Sequence, residues 1–219
     1  MPTLSTVYII DDDQELIDSL KWLLESMNYK VISCLSGQEF LNLGRLNHPC
    51  CILSDVRMPR TSGLELQEIL ISRNEIAPII FISGHGDMLT VIRAMKAGAM
   101  DFLTKPVNNQ LLLECINKAI DYDLKQYHHR LQRENITVRF NTLTIREYDI
   151  LKLIVLNLSS KAIAKHLQIS PNTVDLHRAK IMKKLAVKNI VEVVNLAWCA
   201  GIVTPETLSV TNTTTVANV

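Results

Sequence analysis

Residues 78–83, PIIFIS, decide the fold. The run is almost wholly apolar, whereas a strand with one wet face alternates apolar and polar side chains. Such a run is expected where both faces of a strand are covered, the situation of a parallel sheet between two helix layers. Working outward, Thr6–Ile10, Lys30–Leu35, Cys51–Ser54 and Asp101–Thr104 read as further strands. The stretches between them have helical spacing. Gln14–Met27 sets Leu16, Leu20, Leu23 and Leu24 on one face, and Gly63–Ser72 carries Leu64, Leu66, Ile69 and Leu70. Gly37–Leu46, Asp87–Ala97 and Asn108–Leu124 complete the series. Alternating strands and helices over residues 4–120 predict an α/β domain with a doubly wound, five-stranded parallel sheet, whose site lies at the carboxyl ends of the strands.

Beyond residue 120 the pattern changes. Residues 121–140 are polar, of mixed charge and free of Gly and Pro, which predicts a helical linker continuing the preceding helix. Residues 143–200 show only helical periodicity, in Ile145–Leu156, Ser160–Leu167, Pro171–Leu185 and Asn189–Ala200, and so predict a small all-α domain of four helices over residues 141–203. The Thr/Asn-rich residues 204–219 are expected to be disordered. The whole 219-residue chain has a net charge of only +1, but residues 1–120 hold 10 Lys and Arg against 14 Asp and Glu, and residues 141–219 hold 9 against 5. An acidic front and a basic back imply two separate tasks. The five cysteines lack C-x-x-C spacing and read as buried free thiols of a reducing compartment. With no basic leader and no apolar run near 20 residues, a cytoplasmic protein without a membrane segment is expected.

Three features fall at strand ends in the front domain. Asp11, Asp12 and Asp13 follow VYII, Asp55 follows CILS, and Lys105 follows DFLT. In a parallel sheet these ends lie side by side, so the groups converge despite their separation in sequence. Clustered carboxylates repel unless a cation lies among them, and a set of oxygen ligands favours a hard ion, Mg²⁺ above all. Lys105 supplies a point charge suited to a phosphoryl group, and Ser83, closing PIIFIS, a hydroxyl. Together they suit aspartyl-phosphate chemistry. Asp13 suits the N-cap of the first helix.

In order along the chain, the acidic residues after the first strand, Asp55 in SDVRMP, Gly63 in SGLE, Ser83 in ISGHGD, and Phe102 with Lys105-Pro106 in MKAGAMDFLTKP make residues 4–125 resemble a receiver domain, a flavodoxin-like fold. The resemblance implies that Asp55 is the phosphoacceptor. Asp12 and Asp55 would ligate Mg²⁺ directly with the Arg57 main-chain carbonyl, and Asp11 would act through water. Ser83 and Lys105 would hold the phosphoryl group, and Phe102 would be the aromatic that turns inward as Ser83 moves. It also implies a cis Lys105–Pro106 bond. His85 is taken as a loop residue.

In the back domain, residues 159–185 read SSKAIAKHLQISPNTVDLHRAKIMKKL. Ile163 and Leu167 share a face beside small Ala164, a short connection follows, and Ser170 and Pro171 suit the N-cap and first position of a new helix. That helix turns Val174, Ile181 and Leu185 inward and polar, small and basic residues outward, which describes a helix-turn-helix. Before it, Ile150, Leu151, Ile154 and Val155 face inward, and Asn157 suits a left-handed helix end. Residues 141–200 resemble the LuxR-type DNA-binding domain, and the whole chain a FixJ/NarL-type regulator. By position, Thr173, His177, Arg178, Lys180 and Lys183 would contact the DNA backbone, while Asp175, Leu176 and Ala179 would face base edges. Asn172 stands where the family usually has Arg or Lys. Val191, Val193, Val194, Leu196 and Trp198 can supply a dimer contact or close the small core.

The expectation is thus a phosphorylation-dependent transcriptional regulator. Its partners would be a sensor histidine kinase and double-stranded promoter DNA, and it would form a homodimer on phosphorylation. Two alternatives share parts of the evidence. A Mg²⁺-dependent phosphohydrolase would use the same pocket but leave the helix-turn-helix unexplained, and an adaptor would use the helical domain to bind protein.

Overall fold

The computed structural model describes residues 5–84, 88–199 and 201. They form two compact units that divide between His128 and His129.

The first unit alternates β1 (Thr6–Ile10), α1 (Gln14–Ser26), β2 (Lys30–Cys34), α2 (Gly37–Leu41), β3 (Cys50–Asp55), α3 (Gly63–Ser72), β4 (Ile79–Ser83), α4 (Met88–Lys96) and β5 (Asp101–Thr104), and then enters α5 (Asn109–Phe140). All strand pairs are parallel, in the order β2-β1-β3-β4-β5. Residues alternate between the two faces of the sheet. Val7, Ile9, Leu53, Ile80 and Ile82 pack with α1 and α5, while Tyr8, Ile10, Ile52 and Phe81 pack with Phe40, Leu66, Leu70 and Ala94 of α2, α3 and α4. Two covered faces explain why β1, β3 and β4 are buried throughout.

The expected helix Gly37–Leu46 is shorter than predicted. It ends at Leu41, and Gly44 beyond it has φ +78°, a backbone state that ends helical periodicity although Leu43 and Leu46 prolong the apolar pattern. Residue 87, the expected start of the fourth helix, His85 and residues 204–219 lie outside the described residues. Lys105–Pro106 is cis, and so is His48–Pro49. The thiols of Cys34, Cys50, Cys51 and Cys115 are free and buried, but Cys199 is exposed, a correction to the expectation for all five. In the last helix Val193 and Ala197 are the buried residues, and Cys199, two positions beyond Ala197, falls on the exposed side. Among the described residues no helix is long and apolar enough to cross a membrane.

The expected linker, residues 121–140, is helical throughout as part of α5, and its side chains divide between the units. Asp123 is fully buried in the first, whereas Ile136 and Phe140 join the core of the second. That second unit continues with α6 (Ile145–Val155), α7 (Ser160–Leu167), α8 (Pro171–Leu185) and α9 (Ile190–Cys199). Its core contains Ile150, Leu151, Ile154, Ile163, Val174, Ile181, Leu185 and Val193. Asn157 has φ +59° and ends α6 as expected; Gln168 and Ala186 adopt the same left-handed state after α7 and α8.

Candidate functional site

The switch in strand order places β1 and β3 side by side with α1 and α3 on opposite faces, opening a crevice at their carboxyl ends. Asp11 follows β1, Asp55 closes β3, Ser83 closes β4 and Lys105 follows β5. Asp11, Asp12 and Asp55 each bring a carboxylate oxygen within 4.8 Å of the others. Asp11, Asp55 and Ser83 are buried, and Asp12 is exposed at the mouth. The neighbouring Asp13 turns away and caps α1, accepting from the N–H groups of Glu15 and Leu16.

The surrounding backbone orients these groups. Asp11 Oδ1 accepts from the Asp13 N–H at 2.9 Å, and Asp55 Oδ1 from the Val56 N–H at 2.9 Å. Lys105 Nζ donates to Asp11 Oδ2 at 2.8 Å and stands 3.7 Å from Asp55 Oδ2. Burial pushes the Asp55 carboxyl above its ordinary pKa; the charge of Lys105 opposes this, and that of Asp11 adds to it. Burial works to lower the pKa of Lys105, but the hydrogen bond and charge of Asp11, with the charges of Asp55 and Asp13, outweigh it and raise it. Three carboxylates against one ammonium leave the pocket negative. An all-oxygen donor set of that charge fits a hard divalent cation such as Mg²⁺.

Gly63 lets α3 approach this strand end. A Cβ on it would lie 2.2 Å from the Asp55 carbonyl oxygen and 2.9 Å from the Phe81 ring, while its N–H donates to the Val56 carbonyl. Arg57 is exposed two residues after Asp55. Phe102 is half-buried, its ring centroid 6.3 Å from that of Phe81.

In the second unit Ser170 caps α8 by accepting from the Thr173 N–H, with Pro171 in the first turn. Val174, Ile181 and Leu185 are fully buried. Asn172, Asp175, Leu176, Ala179, Lys180 and Lys183 are exposed, while Thr173, His177 and Arg178 are half-buried. Two of the expected DNA contacts are already engaged within the unit. Ser160 Oγ donates to Asp175 Oδ1 at 2.7 Å and accepts from Arg178 Nη1 at 2.9 Å. Sequence reasoning gave Ser160 no role, since a serine in the first turn of a helix is ordinary. Lys184 faces inward and donates to Glu147 Oε2 at 2.6 Å and to the Thr142 carbonyl. In α9, Val193 closes the core whereas Val191 and Trp198 are exposed.

Residues 7–117 match the response regulator receiver domain, and residues 141–197 match the bacterial regulatory proteins of the luxR family. The chain belongs to the LuxR-type response regulators. It is 39% identical to the response regulator protein TmoT of Ectopseudomonas mendocina over 88% of this chain and 87% of that protein. It is 37% identical to the transcriptional regulatory protein FixJ of Azorhizobium caulinodans over 92% and 96%. The solved structure of the response regulator StyR shares 37% identity, with a TM-score of 0.82 over 90% of this chain and 99% of that one. As a response regulator with both modules, the protein is a phosphorylation-dependent transcription regulator; its receiver implies a histidine kinase as partner and its LuxR-type domain DNA binding.

Proposed function

We propose that Asp55 is the phosphoacceptor and that its phosphorylation controls promoter binding through α8. The observation that carries this is the convergence of Asp55, Asp11, Asp12 and Lys105 at one strand edge. A carboxylate oxygen of Asp55 attacks the phosphorus of a kinase phosphohistidine; the new P–O bond forms as the P–N bond breaks, and the imidazole leaves. Val56 N–H holds Oδ1, which fixes the carboxylate plane, and Lys105 stands beside Oδ2, ready to shift from Asp11 to the incoming phosphoryl oxygens. Asp12, Asp55 and the Arg57 carbonyl would hold Mg²⁺, with Asp11 through water. When bound, Mg²⁺ supplies charge neutralisation for the carboxylates and the phosphoryl oxygens. The Ser83 hydroxyl moves to donate a hydrogen bond to a phosphoryl oxygen, and Phe102 turns inward into the space this movement opens.

Thr173, His177, Arg178, Lys180 and Lys183 serve the DNA backbone, Asp175, Leu176 and Ala179 the base edges, and Asn172 lies on the same DNA-binding helix. Exposed Val191 and Trp198 on α9 provide the dimer contact. A DNA target and a kinase donor support a cytoplasmic location. Neither alternative gains a specific observation: the relatives named above are regulators, and the luxR-family match supports a DNA-binding rather than a protein-binding role for the helical domain.

Asp55 is tested with labelled acetyl phosphate and Mg²⁺. The wild-type chain is expected to take up acid-stable, base-labile label, and Asp55→Asn none. Equal labelling of the variant would refute the assignment.

A further inference from the structure

A hydrogen-bonded relay ties α7 to the outward face of α8. The Ser160 hydroxyl accepts from Arg178 and donates to Asp175, and these two α8 residues stand three positions apart, hence side by side on the helix surface. Asp175 is exposed, one residue after fully buried Val174 and one before Leu176, which is 63% exposed. The carboxylate is therefore held at the surface in a set orientation, on a face that also carries Lys180 and Lys183.

A surface built only to meet phosphates has no use for a fixed carboxylate, because the like charges repel. A carboxylate is, however, an acceptor with no donor of its own, and the four bases differ in what they show it in the major groove. Guanine presents two acceptors, and thymine an acceptor and a methyl group. Adenine sets an acceptor beside its amino donor, and cytosine presents its amino donor alone. Asp175 is thus mismatched to guanine and thymine, half matched to adenine and fully matched to cytosine. The geometry points to Asp175 as a specificity-determining residue that selects cytosine at one position of the bound DNA, with Ser160 as the positioning residue that keeps its carboxylate in place. Holding the acceptor before binding reduces the ordering cost that a free side chain would incur. This inference rests on the DNA-binding role proposed above for α8.

The test is selection from random duplex DNA by the full chain treated with acetyl phosphate, followed by titration of single-base variants of the selected site. Wild type is expected to return a fixed cytosine whose replacement by any other base weakens binding about tenfold or more. Asp175→Asn is expected to move that preference to adenine, which an amide can meet with two hydrogen bonds, and to leave the other positions unchanged. Ser160→Ala is expected to keep the cytosine but narrow its advantage to a few-fold; uniform weakening at every position would instead mean that Ser160 is merely structural. Identical base preferences in wild type and Asp175→Asn would overturn the assignment of Asp175 and leave DNA binding intact. Failure of the wild-type chain to bind any duplex in a salt-dependent way would overturn both.

Discussion

Single residues divide into those whose chemistry shows in their sequence neighbourhood and those defined only by distant contacts. Asp55 and Lys105 belong to the first group, because Asp55 closes β3, Lys105 directly follows β5, and a parallel sheet must bring such positions together. Asp123 belongs to the second. It sits in a polar string that reads as linker, yet it is fully buried. Its Oδ2 accepts from the Cys50 N–H at 2.7 Å and lies 2.6 Å from His48 Nδ1. The His48 ring stacks on Tyr127, and its other nitrogen stands 3.4 Å from Glu75 Oε1. These partners come from β3, the loop before it, α5 and the segment before β4, with Asp123 and His48 themselves 75 positions apart, so no periodicity could reveal them. Asp123→Ala strips a buried N–H and a buried imidazole of their partner and is expected to cost roughly 2–4 kcal/mol. Asp123→Asn keeps an acceptor and should cost less. Urea unfolding of the receiver, followed by Trp22 fluorescence in a Trp198→Phe background, checks both; equal stability of Asp123→Ala and wild type would show that the network contributes nothing. The same opacity hid Ser160, whose partners lie 15 and 18 positions away on the next helix.

At the level of elements, capping and periodicity were largely legible. α3, α7 and α8 have the boundaries their sequences predict, since Ser62, Ser159 and Ser170 cap them and the apolar spacing is regular. α2 was overestimated because Leu43 and Leu46 continue the apolar count past the point where Gly44 turns the chain. The join between α6 and α8 was not legible. Glu147 closes the capping box of α6 with Thr144 and also receives Lys184 from α8, although both look like ordinary surface charges. Burial works to raise the Glu147 pKa, but the hydrogen bonds from Lys184 and Thr144 prevail and bring it to about 2. A folded-state pKa below the ordinary value contributes stability that is fully present above that value and is lost as the pH falls toward the folded one. The second domain should therefore lose about 2–3 kcal/mol between about pH 4.5 and pH 2 through this group. Glu147→Gln should be less stable near neutrality and flatter in that window. Urea midpoints read from Trp198 fluorescence in a Trp22→Phe background provide the check, and parallel acid profiles for variant and wild type would contradict it.

For the whole molecule, the charge asymmetry between the front and back of the chain implies two tasks, and the receiver and luxR-family matches fall one in each compact unit. Linking them requires little energy: a tenfold change in DNA affinity corresponds to about 1.4 kcal/mol of coupling between the proposed phosphoacceptor Asp55 and α8. Salt distinguishes this from a general change in stickiness, because contacts to phosphates make affinity fall steeply with ionic strength. The most direct test is a titration of selected operator DNA at two salt concentrations, with and without acetyl phosphate and Mg²⁺, for wild type and Asp55→Asn. Phosphorylation should tighten salt-dependent binding by wild type at least about tenfold and leave Asp55→Asn unchanged. Equal tightening in both chains would contradict control through Asp55.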